Sequence, residues 1–262
     1  MTGAPIGLIA GSGRLPLLFA EAAERAGHTV VAVGHEGETD PALRASAWVK
    51  VGQLGRIAEV LRDAGVAEAV FCGGLRRPRL FDVRPDWLGL KILARLRTFG
   101  DDAALRGIAA GLEEEGIRIV SPLPLVPELL ARHGPLGKRR LSDEERADAV
   151  TGLATARLLG EADIGQTVVV KRGVILAVEA VEGTDACIAR GGALGRGAMV
   201  VKARKPQQDE RFDVPAIGPR TLESCAAAGC TALAVEAGTT LVLDRAELVE
   251  RADRSGIAVE GI

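Results

Sequence analysis

Residues 202–218 read KARKPQQDERFDVPAIG, and their side-chain types suit work on a phosphoryl group. Lys202, Arg204 and Lys205 stand just ahead of Asp209, Glu210 and Asp213, with Arg211 among the acids. Ammonium groups act as point charges that can follow charge as it develops on phosphoryl oxygens. Carboxylates can hold a divalent ion or take a proton from water. Cations and acids together make a phosphoryl-transfer set, and Pro206 and Pro215 stiffen the backbone that carries it. The competing reading is a loop of structural ion pairs. The catalytic expectations are Asp213, Asp209, Lys205 and Lys202.

Elements elsewhere must position this segment. IGLIAGSGRLP at 6–16 reads as a buried strand, a glycine turn and a helix through about Arg25. HTVVAVG, EAVFCGG and GIRIVSP read as further strands, with GRIAEVLRDAG a helix between them. Strands alternating with helices predict a parallel sheet with crossovers, a Rossmann-like N-terminal domain over 1–132. Residues 133–145 mix Gly, Pro and charge and read as a linker, with Ser142 capping the next helix ahead of Glu145. From 146 to 262, a helix, the hairpin QTVVVKRGVILAVEAVEG and further strands and helices predict a mixed α/β domain.

Phosphate contacts in parallel sheets gather at the carboxyl ends of strands and on helix N–H groups. Gly11, Ser12 and Gly13 occupy such a turn, although Pro16 stands where a dinucleotide fingerprint needs its third glycine. Gly73 and Gly74 end another strand, and Arg76 and Arg77 follow as candidate phosphate clamps. In VEAVEGTDA, Glu179, Glu182, Gly183, Thr184 and Asp185 fall at a strand end and turn. FGDDAALR offers Asp102, either a helix cap or a metal ligand. DWLGLKILARLRTFG sets Leu88, Ile92, Leu96 and Phe99 near helical spacing, with Lys91, Arg95 and Arg97 elsewhere on the wheel. That pattern suits core packing or a helix lying on an anionic bilayer.

Composition excludes several classes. A net charge of -2 gives no overall basic field, and 3% aromatics without Tyr give no base-stacking platform, which argues against nucleic acid. Three histidines form no HxH or HExxH pattern, so a metal would rest on carboxylates and phosphate oxygens, as Mg²⁺ or Mn²⁺ do. The four cysteines show no CxxC spacing and read as buried, reduced cytosolic thiols. No apolar run reaches the ~18 residues of a membrane span.

GLIAGSGRLP, FGDDAALR, VEAVEGTDA and above all KPQQDERFDVPAIG resemble the UDP-2,3-diacylglucosamine pyrophosphatases of the LpxI type, across essentially the whole chain. The resemblance implies an enzyme of lipid A biosynthesis in Gram-negative bacteria. Such an enzyme cleaves UDP-2,3-diacylglucosamine to UMP and 2,3-diacylglucosamine 1-phosphate (lipid X) with a divalent ion, Mg²⁺ before Mn²⁺. It also implies two α/β domains with ligand between them, and a catalytic carboxylate in the C-terminal domain, best matched by Asp213. The expected metal ligands are Asp213, Asp209 and Asp102. Gly183, Thr184, Gln208 and Arg211 join the glycine turns and arginines as expected substrate contacts. The expected setting is cytoplasmic and peripheral to the inner membrane, and a homodimer is a candidate assembly. A nicotinamide-dependent oxidoreductase would share the N-terminal fold but leave the charged loop without a role. A non-catalytic nucleotide-sugar or lipid-binding protein would gain nothing from the acids.

Overall fold

The computed structural model describes residues 4–74, 85–95 and 101–262, and side chains in the same ranges except 101–103. The chain forms two compact units. Arg76, Arg77 and the side chain of Asp102 lie outside the described residues.

The first unit runs to Glu128 and also takes in Glu210–Phe212. Its strands are β1 (Ile6–Ala10), β2 (Val30–His35), β3 (Ala47–Val49), β4 (Glu68–Cys72) and β5 (Arg118–Ile119). They pair in parallel in the order β3-β2-β1-β4-β5, with Ile6 opposite both Val30 and Glu68. Apolar runs such as IGLIA are buried along their whole length, as strands covered on both faces require. Helices α1 (Leu15–Arg25), α2 (Leu54–Asp63), α3 (Trp87–Arg95) and α4 (Asp101–Glu114) supply the cover. Ile57 and Leu61 of α2, Ile92 of α3 and Leu112 of α4 pack with Ile9, Val31 and Val33 of the sheet. Phe212 packs into this unit against Phe71, with ring centroids 6.0 Å apart.

In the second unit, Gly134–Pro135 forms the short β6, followed by α5 (Asp143–Glu161), β7 (Thr167–Lys171) and β8 (Val174–Val178). Then come α6 (Thr184–Leu194), β9 (Met199–Lys202), β10 (Ala216–Ile217) and α7 (Pro219–Ala227). β11 (Ala232–Val235), β12 (Leu241–Val242), α8 (Arg245–Ser255) and β13 (Ala258–Gly261) complete it. The main sheet has the order β13-β11-β9-β7-β8. β9, β11 and β13 run parallel, while β7 runs antiparallel to both neighbours. Period-two alternation sorts side chains between the faces. Val169, Val200, Val235 and Val259 pack with residues of α6, α7 and α8. Val170, Met199 and Val201 pack with Ala149 of α5. Small residues bring these helices close: a Cβ on Gly152 would meet Val201 at 2.5 Å, and one on Gly191 would meet Val169 at 2.5 Å.

The stretch 133–145, expected to be a linker, is bound along the second unit. Leu136 N–H donates to Val259 O, Lys138 N–H to Asp253 and Leu141 N–H to Glu260. Ser142 caps α5 in a full capping box with Glu145, as the sequence predicts. The four cysteines are unpaired and buried, also as predicted.

Candidate active site

β9 ends in Lys202, and alternation turns this side chain to the same side of the sheet as Val200, where α6 packs. Lys202 is 7% exposed. Thr167, opposite it on β7, is fully buried. α6 starts from Gly183, whose φ of 82° belongs to the left-handed region and makes glycine the fitting residue there. The tight entry sets Thr184 at the helix N-terminus, with its Oγ1 accepting from Lys202 Nζ at 3.3 Å. The Thr184 hydroxyl donates to Glu179 Oε1 at 2.9 Å. Gln166 N–H reaches Glu179 Oε2 at 3.4 Å, and the side-chain Oε1 of Gln166 is buried with no protein partner among the described residues.

Burial pushes the Lys202 ammonium below the ordinary lysine range, while Glu179, then Asp213, then Asp185 pull it back up. Only Thr184 accepts from its Nζ among the described residues, so two N–H groups remain for a ligand. Asp185 is held by Arg220 at 2.7 Å and by Ser224 Oγ at 2.9 Å.

The loop after β9 is tied at its base. Arg204 N–H donates to Glu236 Oε2, and Gln207 donates to Gly160 O. Lys205 Nζ pairs with Asp163 at 2.8 Å, where Asp163 is 76% exposed. The Lys205 side chain is itself only 22% exposed, so an incoming phosphate would have to draw it away from Asp163. Arg211 pairs with Glu113 at 3.5 Å and lies over the Phe212 ring. The loop therefore contains structural ion pairs, as the competing reading held, but Asp213 is not among them. Asp213 is exposed and accepts from the Gln208 amide. Its N–H donates to Asp209 O at 3.2 Å, setting the two acids one turn apart.

A family model described as the LpxI C-terminal domain matches residues 132–260, and one described as the LpxI N-terminal domain matches residues 5–129. A relative from Caulobacter vibrioides, named UDP-2,3-diacylglucosamine pyrophosphatase LpxI, is 38% identical over 271 aligned residues. That alignment covers 98% of this chain and 97% of the relative. The chain belongs to the LpxI family.

Within this LpxI fold, the second unit brings Lys202 to Thr184 at the start of α6, with Glu179, Asp213 and Asp185 acting on its charge. Gln208 bonds Asp213, with Asp209 one turn back. Thr167, Gln166 and Asp163 were missed from sequence. A threonine opening an otherwise apolar strand, in QTVVV, was the available signal for Thr167.

The glycine turns of the first unit pack closely against each other. Ser12 N–H donates to Gly74 O at 2.7 Å, Gly74 N–H returns a bond to Ser12 O, and Gly11 N–H donates to Cys72 O. A Cβ on Gly11 would meet Gly74 O at 2.5 Å, and one on Gly73 would meet Ser12 O at 2.4 Å. Backbone thus closes over the carboxyl ends of β1 and β4, where the strand order reverses and a dinucleotide would sit. This geometry, like the family matches, gives the nicotinamide alternative no support.

Among the described residues, no group of three or more His, Cys, Asp or Glu gathers to hold a metal. Asp213, which accepts from the Gln208 amide, and Asp209 one turn back are the two described carboxylates that the sequence reading expects at a metal.

Proposed function

We propose that this chain hydrolyses the pyrophosphate bond of UDP-2,3-diacylglucosamine, releasing UMP and 2,3-diacylglucosamine 1-phosphate. The observation that carries the proposal is the Lys202 ammonium, buried with two N–H groups unused among the described residues and drawn electrostatically toward the exposed carboxylate of Asp213. The name of the Caulobacter relative supports the substrate.

Lys202 stabilises charge on a phosphoryl oxygen as the bridging bond breaks, and Lys205 adds a second cation once it leaves Asp163. Gln208 holds one oxygen of Asp213, leaving the other for the attacking water or for an ion. Asp209 and Asp213 would hold Mg²⁺, which supplies charge neutralisation on the phosphates when bound.

The test is a cofactor-free incubation of purified protein with UDP-2,3-diacylglucosamine and Mg²⁺. UMP and 2,3-diacylglucosamine 1-phosphate should appear in equal amounts. Binding without turnover would instead make the protein a carrier.

A diacylated substrate resides in a bilayer, and the protein must meet it there. No helix among the described residues is long and apolar enough to cross a membrane. The sequence left Leu88 and Ile92 open to core packing or to the lipid, and both are buried in the core. The exposed apolar side chains of α3 are Trp87, Leu90 and Leu93, at 81%, 50% and 41% exposure. Peripheral attachment to the inner membrane is proposed through these three.

A further inference from the structure

A buried ammonium needs a counter-charge in reach, or it gives up its proton. The charged groups facing Lys202 are Glu179 after β8, Asp213 in the loop after β9 and Asp185 in α6. Asp185 is committed to Arg220 and Ser224, and Asp213 is exposed. Glu236, which follows β11, is committed to Arg157 and to Arg204 N–H.

Glu179 differs from all of these. It is 8% exposed, its N–H donates to Thr167 O at 2.8 Å, and Gln166 N–H approaches its second oxygen. Gly165 lies so close that a Cβ there would meet Glu179 O at 2.1 Å. This carboxylate is fixed from the backbone outward, and Thr184 donates its hydroxyl hydrogen to it. A hydroxyl whose hydrogen is committed this way must turn its lone pairs to its other neighbours, Lys202 Nζ at 3.3 Å and Thr167 Oγ1 at 3.5 Å.

We propose that Glu179 is a positioning residue for Lys202, acting through the Thr184 hydroxyl. It keeps the ammonium charged and fixes one N–H, so that the other two are left for phosphoryl oxygens. The inference rests on reading Lys202 as a phosphoryl contact.

The experiment compares wild type, Glu179→Gln, Glu179→Asp, Thr184→Val and Lys202→Gln, measuring kcat and KM from about pH 6 to about pH 10. The titration of Lys202 is followed in parallel by NMR of carbon-13-labelled lysine, assigned by the signal lost in Lys202→Gln. Glu179→Gln should move both the alkaline limb of kcat/KM and the Lys202 titration by about one pH unit or more toward acid. Thr184→Val should move them in the same direction and lower kcat more than it raises KM. Glu179→Asp should fall between wild type and Glu179→Gln. If Lys202 titrates at one pH in wild type, Glu179→Gln and Thr184→Val, Glu179 has no hold on it and the proposal fails. Should Glu179→Gln not fold, Thr184→Val alone decides by the same criterion. A Lys202→Gln enzyme with wild-type kcat would overturn the reading of Lys202 itself, whichever way the limbs move.

Discussion

Lys202 Nζ and Thr184 Oγ1 stand 3.3 Å apart, where the last residue of β9 meets the first residue of α6. A helix N-terminus carries partial positive charge, and a cation beside it is disfavoured. Burial disfavours the same cation again. Two positive features are thus held together against their own electrostatics, with Glu179 bonded to the threonine between them. An anion bound at this point would meet both, which is the requirement for steadying a phosphoryl group as its charge develops.

Asp213 is the carboxylate on which the proposed reaction turns. Asp213→Ala should reduce kcat by roughly 10²–10⁴-fold, the range of a lost general base, while substrate binding changes little. Stopped assays of UMP release read the rate, and a binding titration reads the affinity. A loss below about tenfold, or ~1.4 kcal/mol of barrier, would move the role to Asp209.

Lys202 also leaves a mark on stability. Burial holds its folded pKa below the unfolded value, against the pull of Glu179, Asp213 and Asp185. Between those two values the unfolded chain binds more protons, so stability rises with pH there, and below the folded value the penalty is full. Lys202→Gln lacks this titration. The difference in Tm between wild type and Lys202→Gln should therefore shift in favour of wild type from about pH 7 to about pH 10. A difference that stays constant over this range would mean that burial does not perturb the lysine.

Much of the fold was legible because local signals agreed with it. IGLIA and VVAVG are apolar on both faces, and EAVFC is so after Glu68, which fits strands inside a layered parallel sheet. Ser142 and Glu145 announced α5 by their spacing. What could not be read was pairing over long separations. Lys205 finds Asp163, 42 residues away, because α5 ends beside the loop and Gly160 lets it approach. Glu179 and Thr184 come to Lys202 through β7, where Thr167 bonds Glu179 N–H on one side and pairs with Lys202 on the other. On α3 the helical wheel offers two apolar stripes, and only packing against α2 and α4 selects Leu88 and Ile92 as the inner one.

The start of α5 offers a stability check away from the site. Ser142 accepts from Glu145 N–H at 3.2 Å, and Glu145 returns a bond to Ser142 N–H at 2.9 Å. Ser142→Ala should cost about 1 kcal/mol, lowering Tm by roughly 2–4 °C with catalysis unchanged. Glu145→Ala should cost more, because the same carboxylate also accepts from Arg139 at 2.8 Å and Thr231 at 2.8 Å. Calorimetry that ranked the two variants in the opposite order would show that the box matters more than the side-chain network.

The membrane face of α3 can be tested by separating its apolar and charged parts. Lys91 and Arg95 both pair with Glu114, at 2.8 Å and 2.5 Å, so these three charges sum to a single positive one. Anionic headgroups reward each nearby cation by about 1 kcal/mol. Burying a leucine side chain fully is worth roughly 1.5–3 kcal/mol, and Trp87, Leu90 and Leu93 are all open to contact. The apolar part should therefore dominate. Sedimentation with anionic phospholipid vesicles should show Trp87→Ala/Leu90→Ser losing more bound protein than Lys91→Glu/Arg95→Glu. Raising the salt should weaken wild-type binding only modestly, because screening acts on the charges and not on buried apolar area. If wild type and Trp87→Ala/Leu90→Ser pellet equally, α3 does not meet the bilayer and the substrate must be drawn from it by another surface.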